Sequence, residues 1–208
     1  MNSIELFQKG GPVMYLLLLC SLSVAAIAID RFLFYRRARA GLQPFLTLLP
    51  GILREHSLEK LRELFQQERH AAGFLAEAGV SAACEGKDAE LALDTSYTIA
   101  AMQLRSKLNY VSMVVTMAPL LGLLGTIFGM IDSFSIFNLQ AGQPLAITGG
   151  IGEALIATAT GLCVAIFALL VHTYFSQQLD KLLSDLDLAA AVVLSELKRK
   201  KGDKGHAA

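Results

Sequence analysis

Three long apolar runs are separated by charged stretches along this chain. Gly10–Ile29 and Leu108–Ile131 carry no charge, and in Ala154–Leu179 the one basic or acidic group is His172. About 20 apolar residues, at roughly 1.5 Å each, cross the hydrocarbon core of a bilayer. The pattern therefore predicts transmembrane helices over residues 12–29, 108–131 and 151–175. Pro12 suits a first helical turn, where no amide donor is needed. Elsewhere the period is that of amphipathic helices. Leu58, Leu61, Leu64 and Phe65 repeat behind Ser57, a candidate N-cap. A second short helix is expected over His70–Cys84. Asp88 can cap a third, which carries Leu91, Leu93, Tyr97 and Leu104. Gly41 and Pro44 are expected to break the first helix, and Pro50-Gly51 to make a turn. From Asp88 to Ile131 only Pro119 interrupts the pattern, which predicts one rod of about 44 residues, roughly 66 Å long. After the third span the periodicity continues to about Leu197. The basic tail Lys198–Lys204 reads as disordered. The expected fold class is all-α: an integral membrane protein with three transmembrane helices, long helices extended beyond the membrane and, as argued below, a homo-oligomeric ring.

Composition agrees, at 54% hydrophobic with no Trp and a mean hydropathy of +0.51. The balance of 18 basic and 18 acidic residues matters less than where the basic ones lie. Eleven Lys/Arg fall between Asp30 and Lys107, six follow Phe175, one (Lys9) precedes the first span, and none lies between Asp132 and Glu153. Cytoplasmic loops carry the Lys/Arg excess. Residues 30–107 and the 176–208 tail are thus expected in the cytoplasm. The 1–11 segment, with Ile4, Leu6 and Phe7 in an interfacial turn, and the 132–150 loop are expected outside. A cleaved signal peptide would place its positive charge before the apolar run, whereas Arg31, Arg36, Arg37 and Arg39 follow it. Aromatics and arginines in the run from Asp30 to Arg37 read as interfacial anchors. About 65 linker residues in short amphipathic pieces are too few for a catalytic domain with a large core, so no enzyme is expected. Cys20, Cys84 and Cys163 read as small packing residues. No metal-ligand spacing, phosphate loop or nucleophile elbow is present, and no cofactor or nucleic acid partner is expected.

Inside the spans, glycines and polar groups stand out. Ala118, Gly122, Gly125 and Gly129 follow one face of the second span, and Ala154, Thr158, Gly161 and Ala165 repeat the device in the third. Small residues let helices approach closely where lipid supplies no hydrophobic drive. So much close packing in a three-span chain points to homo-oligomerisation. Glu153 is the sharpest feature, because an acid at membrane depth is costly and usually faces a cavity. Two readings are open. If the helix starts at Pro144, Glu153 lies more than two turns inside it. If it starts at Gly149 or Gly150, Glu153 is a first-turn residue at the outer interface, favoured by the helix dipole. Thr126 and Thr158 are the other polar groups at depth, and such hydroxyls commonly bond their own helix. His172 reads as an interfacial residue. No series of titratable residues crosses the bilayer, so a proton path would need a partner to supply the missing carrier.

At these residues a resemblance enters. Pro119-Leu-Leu-Gly-Leu-Leu-Gly-Thr126-Ile-Phe-Gly-Met-Ile and Gly152-Glu153-Ala-Leu-Ile-Ala-Thr158-Ala-Thr-Gly-Leu resemble the paired signatures of the MotA/TolQ/ExbB proton-channel family. The opening Lys9-Gly-Gly-Pro-Val-Met-Tyr and Asp30-Arg31 look most like the ExbB branch. The resemblance implies a stator subunit of a proton-motive-force-driven motor. In such motors a ring, typically a pentamer, surrounds two copies of a single-span ExbD/TolR-like partner carrying an intramembrane Asp. Proton flow is turned into work on a periplasmic protein, TonB-like in the ExbB case. The resemblance also implies that Glu153, Thr126 and Thr158 line the cavity facing that partner. The alternatives are a TolQ-like envelope-integrity motor subunit or a passive membrane scaffold. A MotA-like role fits less well, since that branch has four spans. Two departures are visible: Phe167 stands where the family often has Pro, and Thr173 stands near the family's polar Asn.

Overall fold

The computed structural model describes residues 11–68, 70–139 and 144–206. Six helices follow one another: α1 Val13–Glu55, α2 Leu58–Gln66, α3 Ala71–Cys84, α4 Ala89–Arg105, α5 Leu108–Leu139 and α6 Pro144–His206. Among the described residues there is no strand. Three of the helices, α1, α5 and α6, are long and apolar enough to cross a membrane. The chain divides into two compact units. The turn expected around Ile4, Leu6 and Phe7 lies outside the described residues.

The first unit comprises residues up to Asp30 and Lys107–Phe175. Its α1 segment buries Val13, Met14, Leu17 and Val24. Val13, Met14 and Leu17 pack with Ala118 of α5 and with Val164 and Ala165 of α6. Val24 packs with Val111 and Ala168. Lys107 pairs with Asp30 at 3.0 Å, so the lower end of the first span and the beginning of the second lie side by side. Both groups are nearly half exposed, and such a pair is worth at most about 1 kcal/mol. It marks register more than it stabilises.

The second unit comprises Arg31–Ser106 and the chain from Ser176 onward. Here α1 does not end where Gly41, Pro44 and Pro50 led us to expect. It runs on to Glu55 with both prolines inside. Each interior proline costs about 3 kcal/mol. Against that stand Leu42, Phe45, Leu49 and Leu53, at i, i+3, i+7 and i+11, all buried. Four such side chains contribute roughly 6–12 kcal/mol, enough to hold the helix through its breakers. Leu61 and Phe65 of α2 are buried as well, and the Phe45 and Phe65 rings lie 5.9 Å apart edge to face. From α6, Leu179, Leu182, Leu183, Leu186, Val193 and Leu197 are buried at helical spacing.

Other local expectations also changed. Ser57 is the N-cap of α2 but makes no side-chain cap bond. His70 caps α3 instead, Nδ1 accepting from the Gly73 amide at 3.1 Å. Asp88 caps α4 as expected, accepting from Glu90 and Leu91. The single rod from Asp88 is interrupted at Ser106 and Lys107, where the Ser106 hydroxyl donates to the Gln103 carbonyl at 3.0 Å and competes with the helical ladder. Pro119 leaves α5 unbroken. The 132–150 stretch, expected as a loop, is helical over 132–139 and again from Pro144. The tail expected to be disordered continues α6 to His206. Lys198 pairs with Glu90 at 2.9 Å, Arg199 with the buried Glu196 at 2.9 Å, and Lys200 donates to the His56 carbonyl.

Arg31 and Tyr35, in the run read from sequence as interfacial anchors, are buried within the chain. Both donate to the Leu104 carbonyl in the last turn of α4, Arg31 at 3.4 Å and Tyr35 at 3.0 Å. Carbonyls of a last helical turn have no helical donor, so the pair satisfies a group that burial would otherwise penalise. Burial raises the Tyr35 phenol above its ordinary value, with Arg31 opposing, and the hydroxyl stays a donor.

Candidate functional site

The site is built where α5 meets α6 in the first unit. The small residues of the two helices pack on each other within one chain. A Cβ on Gly161 would lie 2.7 Å from the Ala118 carbonyl oxygen and 2.9 Å from the Gly122 Cα. On Gly125 it would lie 2.5 Å from the Ala157 Cβ, and on Gly129 3.1 Å from the Gly150 carbonyl oxygen and 3.2 Å from the Ala154 Cβ. A Cβ on Gly122 would lie 3.1–3.3 Å from backbone atoms of Thr158, Ala157 and Gly161. The four glycines expected to serve close helix packing are met within the chain by the α5–α6 pair. Ser133, also buried, closes the outer end of the contact against Gly150 while donating to the Gly129 carbonyl at 2.7 Å.

Glu153 stands nine residues after Pro144, where α6 begins. That is about two and a half turns, beyond the first turn in which its own helix dipole acts. The Gly149 or Gly150 start does not occur, so Glu153 is not the first-turn cap of α6. Its carboxylate instead lies beside Gly11. Oε1 lies 2.5 Å from the place a Gly11 Cβ would occupy, and Gly11 immediately precedes the opening turn of that helix.

The two threonines behave differently. Thr158 donates across the helix pair to the Gly122 carbonyl at 3.1 Å, not to its own helix. Thr126 donates to the Leu123 carbonyl of its own helix at 2.6 Å. Glu153 and Thr158 are five residues apart, roughly 140° around α6 at about 100° per residue, so they do not share one face. Thr160, seven residues on from Glu153, does lie on its face; its hydroxyl donates to the Ile156 carbonyl at 2.8 Å. The sequence reading passed over Thr160, although the i, i+7 spacing was there to be seen. It also passed over Gly11, whose contact with Glu153 joins residues 142 positions apart and leaves no local signal.

The paired signatures now sit on two helices packed against each other, with the acid beside them. The profile of the MotA/TolQ/ExbB proton channel family matches residues 55–187. The chain belongs to this family. Among curated relatives, an ExbB-like biopolymer transport protein 1 of Synechocystis sp. is 35% identical over 185 residues, covering 84% of this chain and 72% of the relative. A biopolymer transport ExbB homologue of Methanothermobacter thermautotrophicus is 25% identical over 187 residues, 89% of this chain and 67% of that protein. ExbB of Salmonella typhimurium is 37% identical over 88 residues, 41% of this chain and 36% of that protein. Within the family this chain falls in the ExbB branch, and it is a membrane protein of proton-channel type.

Proposed function

We propose that this chain is an ExbB-like stator subunit of a proton-driven motor in a bacterial cytoplasmic membrane. Its N-terminus is outside, and residues 30–107 and 176–208 are in the cytoplasm. Five copies form a ring around an ExbD-like single-span partner. Inward proton flow is coupled to work on a TonB-like periplasmic protein, for energised uptake.

The observation that carries this reading is the place of Glu153, inside a membrane helix and away from that helix's own end. An acid so placed is a functional group by default. Each charge that crosses the membrane potential carries about 2.3 kcal/mol per 100 mV. Between Glu153 and Asp180 there is no acidic residue, so a second carrier has to come from the partner. Thr126 and Thr158 are proposed to flank the path, Thr158 also tying α5 to α6. The test is proton flux in vesicles holding this chain and an ExbD-like single-span protein. Glu153→Gln keeps size and hydrogen bonding and removes the charge. It should leave ring size and partner binding intact while flux falls at least about tenfold, a loss of roughly 1.4 kcal/mol in barrier terms. Wild-type flux at matched protein would remove Glu153 from the mechanism.

A further inference from the structure

Glu153 is remote from the start of its own helix but close to the start of another. Gly11 holds φ at +67°, and its carbonyl accepts the Met14 amide at 3.2 Å to open α1. Two demands fall on this one residue. Its backbone is left-handed, which glycine adopts without steric cost. The space a side chain would fill holds Glu153 Oε1 at 2.5 Å and Cδ at 3.7 Å. A second contact fixes the same corner. The place of a Gly125 Cβ meets Val13 Cβ at 3.6 Å as well as Ala157, one turn on from Glu153.

We infer that Gly11 is a positioning residue for Glu153: by presenting no side chain, it leaves room for the carboxylate beside the residue whose carbonyl opens α1. The first span, uncharged from residue 13 to 29, thereby takes part in placing the acid. The inference rests on the reading of Glu153 as the acid of the proton path, but its geometry can be tested without proton flux.

The experiment is a cycle of four purified chains: wild type, Gly11→Ala, Glu153→Ala and the double variant. Thermal midpoints are read by circular dichroism in one detergent. Gly86→Ala serves as the control for backbone strain, because Gly86 holds φ +70° with nothing within 4 Å of its Cβ position. Because Oε1 ends a flexible side chain that can turn aside, Gly11→Ala should lower the midpoint only slightly more than Gly86→Ala does. In the Glu153→Ala background it should lower it only by the control's amount. A second reading is the rate at which a hydrophobic carbodiimide, which attacks protonated carboxyl groups, modifies Glu153. That rate should rise several-fold in Gly11→Ala. If Gly11→Ala fails to fold, folding restored by Glu153→Asp, which withdraws the carboxylate by one methylene, is the same result. Equal shifts with and without the Glu153 side chain, or no rescue, overturn the inference. Wild-type flux in Glu153→Gln would remove the functional reading and leave this cycle standing.

Discussion

Gly161→Ala is the smallest change that tests whether α5 and α6 pack as described. In an open helix position, alanine is better than glycine by about 0.8–1.0 kcal/mol. At Gly161 the new methyl meets the Ala118 carbonyl oxygen at 2.7 Å, the Gly122 Cα at 2.9 Å and the Gly122 amide nitrogen at 3.1 Å. All three are backbone atoms, so no rotamer change makes room and the helices themselves have to part. Overpacking of this kind costs about 1–3 kcal/mol, occasionally more. Parting also lengthens the Thr158–Gly122 bond, now 3.1 Å, and a bond of this type in a membrane is worth about 0.6 kcal/mol. The contact terms exceed the propensity gain, and the net is a destabilisation of roughly 1–3 kcal/mol. Gly152→Ala reverses the sign, because nothing lies within 4 Å of its Cβ position and only the propensity gain remains. The assay is thermal unfolding of the two variants in the same detergent, followed by circular dichroism. At about 2–4 °C per kcal/mol, Gly161→Ala should melt roughly 2–12 °C below wild type and Gly152→Ala at or slightly above it. A Gly161→Ala protein as stable as Gly152→Ala would refute the helix contact.

Two further outcomes follow from the same geometry and the proposed orientation. Ser135→Cys should react with an impermeant thiol reagent added to intact cells, whereas Glu90→Cys should not; labelling at 90 would reverse the topology. Thr158→Val should loosen the helix pair by about 0.6 kcal/mol, while Thr126→Val should leave stability within about 0.5 kcal/mol of wild type; equal melting losses at the two positions would mean that the Thr158 bond does not hold the pair.

The three spans are legible in the sequence because a run of 20 uncharged residues has few other uses. The glycine face is legible for a similar reason: Ala118, Gly122, Gly125 and Gly129 recur about every 3.6 residues, and only a close neighbour makes that spacing useful. Which neighbour is not written there. The pattern fits a helix of the same chain as well as one of another copy, and Ala154, Ala157 and Gly161 of α6 supply the first. The errors over Pro44 and Pro50 have a different source. Breaker residues act locally, while the burial of Leu42, Phe45, Leu49 and Leu53 that outweighs them comes from other helices, as where Phe45 packs on Phe65. Glu153 shows both limits at once. Its type and surroundings marked it as special, but its role turned on whether α6 begins at Pro144 or at the glycines, and its contact with Gly11 is entirely non-local.

The use of the glycines inside the chain changes what must hold the proposed ring together. Of the most apolar windows of α1, α5 and α6, 22%, 22% and 28% is buried within the chain, so most of the surface of the spans remains for lipid or for other copies. Exposed Leu120, Leu123, Ile127 and Phe128 on α5, and Leu162, Ile166, Phe167 and Leu170 on α6, are as content in lipid as against a neighbour. Such side chains make a good interface only where shapes fit; they do not by themselves drive one. The second unit is different. In the proposed orientation it lies in the cytoplasm, where its exposed Leu91, Met102 and Leu188 have a driving force for burial from water.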